Sequence, residues 1–220
     1  MMSRSAKKAS SAKIVRRLGQ GSAASTLGSD RAARLASALD FTLCMRRLCA
    51  DMAIRLPELT HIDMLRVAIR FCQTRTAAAH GVLASLTPLR FEHGATTTLR
   101  HGRRYAIDRV HDEGGREMLY LMSFYLPRFL NRTLREKLST VLHELWHVGP
   151  RFDGDLRRHS GRCYAHSRSL QEYDRRIEQL TDRYLATSPA AAILSFLGDH
   201  FAAAVSRHGA VVGTRIPTPR

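Results

Sequence analysis

The sequence predicts an α+β domain in which a mixed or antiparallel sheet of three to four strands packs on helices. Three observations predict it. Apolar residues recur at three- and four-residue steps over several long stretches. Elsewhere they alternate with period two. Between these patterns lies a nearly unbroken apolar run, Glu117 to Leu126 (EMLYLMSFYL), as expected of a strand covered on both faces. A chain of 220 residues, 44% hydrophobic and 25% charged, is long enough to bury one real core.

Residues 1–28 read as a basic, disordered tail. They carry Arg4, Lys7, Lys8, Lys13, Arg16 and Arg17, no acid, and too little apolar surface to offset the entropy of ordering. One domain spans 29–212. Its first helix is expected from about Asp30 to Leu56, on the stripe of Phe41, Cys44, Met45, Leu48 and Met52, with Pro57 as the stop. Val67, Ile69 and Phe71 then alternate as in a half-buried strand. Gly81 to Phe91 reads as a second strand, although Ala78 to Leu86 also suits a helix. Arg104 to Val110 alternates again, and Glu113-Gly114-Gly115 signals a turn before the apolar run. That run ends at Pro127.

The next helix carries the most informative stretch, VLHELWHVGPRFDGDLRRHSGRCYAH at 141–166. Thr133 and Glu136 form a capping box at its start. Leu134, Leu138, Val141, Leu142, Leu145 and Val148 fill one face, and Gly149-Pro150 ends it. His143 and His147, one turn apart and ~40° apart around the axis, project from nearly the opposite face. Two imidazoles so spaced can bind one Zn²⁺ from one helix. Glu144, beside the first, can act as general base on a zinc-activated water without ligating the metal. A shuffled chain of this composition would spell HExxH about twice in a hundred, so the capped amphipathic helix around the motif matters as much as the letters.

A catalytic zinc takes three protein ligands. His159 is the first candidate for the third, His166 the second and Asp153 the third. Asp153 stands six residues after His147, where HExxHxxGxxH/D proteases place a ligand, but Pro150 occupies the glycine position of that pattern. Glu172 and Glu178 are more distant carboxylate candidates, and Tyr164 or Arg162 could stabilise an oxyanion. Two further helices follow, one on Leu170, Tyr173, Ile177, Leu180 and Tyr184, the other on Ile193, Leu194, Leu197, Phe201 and Val205 from Pro189 onward. Residues 213–220, with Pro217 and Pro219, read as a flexible C-terminal tail.

Net charge is +16, from 35 basic and 19 acidic residues. Such a surplus attracts polyanions, and it also follows from an Ala- and Arg-rich composition in which only Lys7, Lys8, Lys13 and Lys137 are lysines. Cys44, Cys49, Cys72 and Cys163 form no CxxC pair. With no apolar signal segment and no run of ~18 apolar residues, the expectation is a cytoplasmic protein with free thiols and no membrane partner.

The segment from Glu117 to His159, an apolar strand followed by LPRFLNRTLREKLSTVLHELWHV and GPRFDGDLRRH, resembles the phage-type metallopeptidases, an HExxH zincin group. The resemblance implies a zincin-like fold whose edge strand aligns an extended peptide above the active helix. It also implies zinc on His143 and His147, Glu144 as base and His159 as third ligand. Features are shared with SprT-like proteases, which combine HExxH with DNA association. The expected function is therefore zinc-dependent hydrolysis of peptide bonds in a peptide or protein substrate, the strand before the helix holding that substrate by backbone pairing. The alternatives are a nucleic-acid-associated protease or a non-catalytic nucleic-acid-binding protein acting through the basic surface and tail.

Overall fold

The computed structural model describes residues 37–74, 81–158, 170–217 and 219. The basic tail, His80, and the stretch holding His159, Arg162, Cys163, Tyr164 and His166 lie outside these residues. The described chain is a mixed α+β fold with parallel and antiparallel strands packed against helices.

A two-residue strand β1 (Leu39–Asp40) leads into helix α1 (Phe41–Arg55). Within the described residues the helical run that the periodicity predicts is interrupted at 38–40 and α1 starts at Phe41. Asp40 is the reason: its carboxylate accepts from the Leu43 N–H at 3.0 Å and caps the helix there. Strand β2 (Val67–Gln73) follows, then β3 (Ala84–Pro88), β4 (Thr97–Arg100), β5 (Arg103–Ala106) and β6 (Tyr120–Leu126). The sheet order is β2-β6-β3, with β2 parallel and β3 antiparallel to β6. The alternating run after Arg104 does not join this sheet. It forms β5, which pairs with β4 in a separate two-stranded ribbon.

β6 is central, so both sides of its backbone are taken up. The expectation that it holds a substrate by strand pairing is thereby corrected; only a sheet edge can offer unpaired backbone groups. Its near-total apolarity has a packing cause. Tyr120, Met122 and Phe124 face the main core with Val67 and Ile69 of β2, while Leu121 faces a smaller cluster of Ala68, Leu89, Val110, Met118 and Ile216.

The remaining helices are α2 (Leu134–Trp146), α3 (Leu170–Ala186), α4 (Ala191–Leu194) and α5 (Phe201–His208), with strand β7 (Val211–Val212) pairing β1. The single helix expected from Pro189 through Val205 is broken. Ser195–Leu197 is a 3-10 turn, and His200 caps α5 by accepting from the Ala203 N–H at 3.1 Å. The buried ammonium of Lys137, on α2, donates to the carbonyls of Leu197 (2.7 Å) and Asp199 (3.2 Å). Those carbonyls would otherwise need helical partners. Beyond β7, where a loose end was expected, Arg70 donates to the Ile216 carbonyl at 2.6 Å and Ile216 is buried. Among the described residues no helix is long and apolar enough to cross a membrane.

Candidate functional site

α2 begins at the capping box read from the sequence. Thr133 Oγ1 accepts from the Glu136 N–H at 3.2 Å, and Glu136 accepts from the Thr133 N–H at 2.9 Å. Leu138, Val141, Leu142 and Leu145 are fully buried on one face. That packing fixes the rotation of the helix and so fixes where His143 and His147 point.

The two imidazoles converge. Their Nε2 atoms are 3.1 Å apart and the rings meet edge to face at 4.8 Å between centroids. Two nitrogens bound tetrahedrally to one zinc at ~2.05 Å would be ~3.3 Å apart, so the pair has the spacing of a chelate. Glu144 is 7% exposed. Burial pushes its carboxyl up to about 7, while the Leu86 backbone N–H, which donates to it, pulls the other way.

The Leu86 contact comes from β3. The Tyr125 N–H donates to the Leu83 carbonyl, which marks 83–125 as a hydrogen-bonded pair of the ladder. Alternation then turns the N–H and C=O of Ala84 and Leu86 away from β6. These groups face α2, across a cleft of about 530 Å³ lined by Leu83, Ala84, Thr140, His143, Glu144 and Ile177.

The helix ends at His147, its C-cap, and the chain folds straight back. The Gly149 N–H donates to the Asp155 carbonyl at 3.2 Å, and a Cβ on Gly149 would lie 2.6 Å from that oxygen. Gly149 thus supplies the close approach at this turn. Tyr120 of β6 locks the loop by donating to the Asp155 carbonyl at 2.8 Å and accepting from the Gly154 N–H at 3.1 Å. The Arg157 N–H then donates to the His147 carbonyl at 2.7 Å, so the returning chain lies against the end of α2 at this residue. Arg157 also covers the Trp146 ring at 4.0 Å.

A residue the sequence reading assigned to packing alone completes the described site. Tyr173, on α3, is 2% exposed. Its hydroxyl is 3.4 Å from His147 Nε2 and 3.4 Å from the His143 carbonyl, and its ring stacks on His147 at 25°. Burial, with the charge of Glu144 adding to it, pushes the phenol upward and keeps it a proton donor. The available signal was that a tyrosine in a core stripe needs a partner for its hydroxyl.

The other described candidates are not gathered onto the histidine pair, although Glu178 lines the same cleft as His143 and Glu144. Asp153 pairs with Arg151 at 3.2 Å and accepts from the Asp155 N–H. Glu178 binds Arg135 at 3.0 Å, and Glu172 is exposed. Among the described residues no group of three or more His, Cys, Asp or Glu is gathered to hold a metal. Asp153 is therefore not brought to the histidine pair, and His159 and His166 lie outside the described residues. No family model, no curated protein and no solved structure matches this chain, so the reading of the site rests on its own geometry.

Proposed function

We propose that this chain is a zinc-dependent metallopeptidase of zincin-like fold, akin to the phage-type group, with His143 and His147 as ligands, His159 as third ligand and Glu144 as general base. The observation that carries the reading is the 3.1 Å convergence of two imidazole Nε2 atoms next to a buried carboxylate at an open cleft. When bound, zinc supplies Lewis acidity, lowering the pKa of a water towards ~7 and polarising a carbonyl.

The chain's own groups do the rest. Glu144 takes a proton from the attacking water and passes it to the departing amine nitrogen. The Leu86 N–H fixes its orientation. The Tyr173 hydroxyl, 3.4 Å from His147 Nε2, is a donor suited to a carbonyl oxygen that gains negative charge. An extended peptide pairs with the outward backbone groups of Ala84 on β3 rather than with β6.

Glu144→Gln tests the mechanism with fluorogenic peptide mixtures as substrate. The variant retains its zinc and loses about 10²- to 10⁴-fold in turnover; turnover at the wild-type rate contradicts the assignment. Comparing zinc affinity in His159→Ala, His166→Ala and Asp153→Ala identifies the third ligand, with the largest loss expected in His159→Ala.

A further inference from the structure

The β4–β5 ribbon has no role in the site described above, and its chemistry is unusual for a structural element. All of its residues but Thr98 are exposed. Its turn, His101-Gly102, has φ of 48° and 73°, the left-handed pair of a tight two-residue hairpin. The ribbon is thus a short, exposed two-stranded hairpin closed by a tight turn. It carries Arg100, Arg103 and Arg104 and no acidic residue.

Arg100 and Arg103 are directly opposed across the strands. Like charges so placed destabilise a ribbon. None of the three arginines has a carboxylate within ion-pair distance among the described residues, although arginines elsewhere in the fold pair repeatedly with acids. Folding gains nothing from this arrangement, and an external polyanion would. The register puts Thr98 and Tyr105 on the same face as that arginine pair, while Arg104 projects from the other face beside Leu99. The chain's +16 charge adds long-range attraction of the same sign.

We infer that the β4–β5 ribbon is a duplex-DNA contact, inserting its Arg100–Arg103 face and tip into the major groove. A two-stranded ribbon fits the major groove of B-form DNA but not the deep, narrow one of A-form RNA. Cationic side chains on both faces reach the phosphates of both strands. A membrane partner would call for apolar residues at the tip, where this ribbon has His101 and Gly102 flanked by arginines. The inference stands independently of the peptidase reading.

Fluorescence anisotropy with the full chain tests it, using a labelled mixed-sequence DNA duplex between 50 and 200 mM salt. The probes for comparison are an RNA duplex and a single DNA strand of equal length. Replacing Arg100, Arg103 and Arg104 together by Ala should flatten the slope of log Kobs against log salt by about 2.7, at ~0.9 per lost phosphate contact. Replacing all three by Lys should keep the slope, and circular dichroism should show both variants folded. An unchanged slope in the Ala variant overturns the proposal. So does equal binding of the RNA duplex or single strand with the same loss of slope, since that would remove the groove from the explanation.

Discussion

Lys137 and Glu144 lie two turns apart on α2, both buried, and they are treated differently by the fold. Lys137 has two carbonyl acceptors that its ammonium satisfies. Glu144 faces the Leu86 N–H and a cleft, and its carboxyl is held near neutrality by burial. The first arrangement stabilises structure; the second resembles a group kept for proton transfer. Lys137→Met should therefore cost roughly 1–3 kcal/mol in urea unfolding by leaving the buried Leu197 carbonyl and the half-buried Asp199 carbonyl without their donor, with the proposed peptidase activity per folded molecule unchanged. Tyr173→Phe should do the reverse. The stacked ring remains, so stability and zinc content hold, while kcat falls about 10²-fold with little change in KM because one donor to the developing charge is lost. An undiminished kcat would confine Tyr173 to packing.

Among the elements, α3 bears Tyr173 and must be held against α2 and the turn after α1. Glu58, in that turn, accepts from Arg183 at 3.1 Å and from Arg176 at 3.3 Å, both on α3. Burial alone would raise its carboxyl, but the Arg183 hydrogen bond and the two guanidinium charges outweigh it and hold it below its ordinary 4.5. A depressed carboxylate stabilises the fold above its unfolded pKa and loses that contribution as pH falls through the folded value. Glu58→Gln should thus cost about 1 kcal/mol at pH 7, and the gap to wild type should close below about pH 4. Thermal unfolding across pH 3–7 measures it; a gap that stays constant would exclude the ion pairs as its source.

The same elements explain how much could be read in advance. Period and caps are local, and they located β2, β6, α2, α3 and the end of α1 closely. The capping box at Thr133 and the stripe through Leu145 already aimed the two histidines. Strand neighbours are not local: EMLYLMSFYL shows burial on both faces but not that β6 is central. The Arg104 run alternates because its ribbon is two-sided, so its period resembles that of a sheet strand. The break at Gly198 to His200 depends on Lys137 arriving from sixty residues away.

Across the whole molecule, the core fixes three things around one cleft: the rotation of α2, the outward edge of β3, and the approach of α3 with Tyr173. The sequence alone located the histidines and the acid, because one turn of helix holds all three. Leu86 was illegible, and Tyr173 was legible only as a core tyrosine in need of a hydroxyl partner, because both reach the site through tertiary packing from β3 and α3. Zinc bound to such a site should also stabilise the folded chain, by about 2.7 kcal/mol at a hundredfold excess over Kd. The most direct test is metal content, determined by mass spectrometry on wild-type protein and on His143→Ala and His147→Ala after dialysis into metal-free buffer and back into micromolar zinc. The proposed chelate predicts about one zinc per wild-type chain and a small fraction of that in either variant. A wild-type chain that takes up no zinc, or a variant that holds as much as wild type, would contradict it.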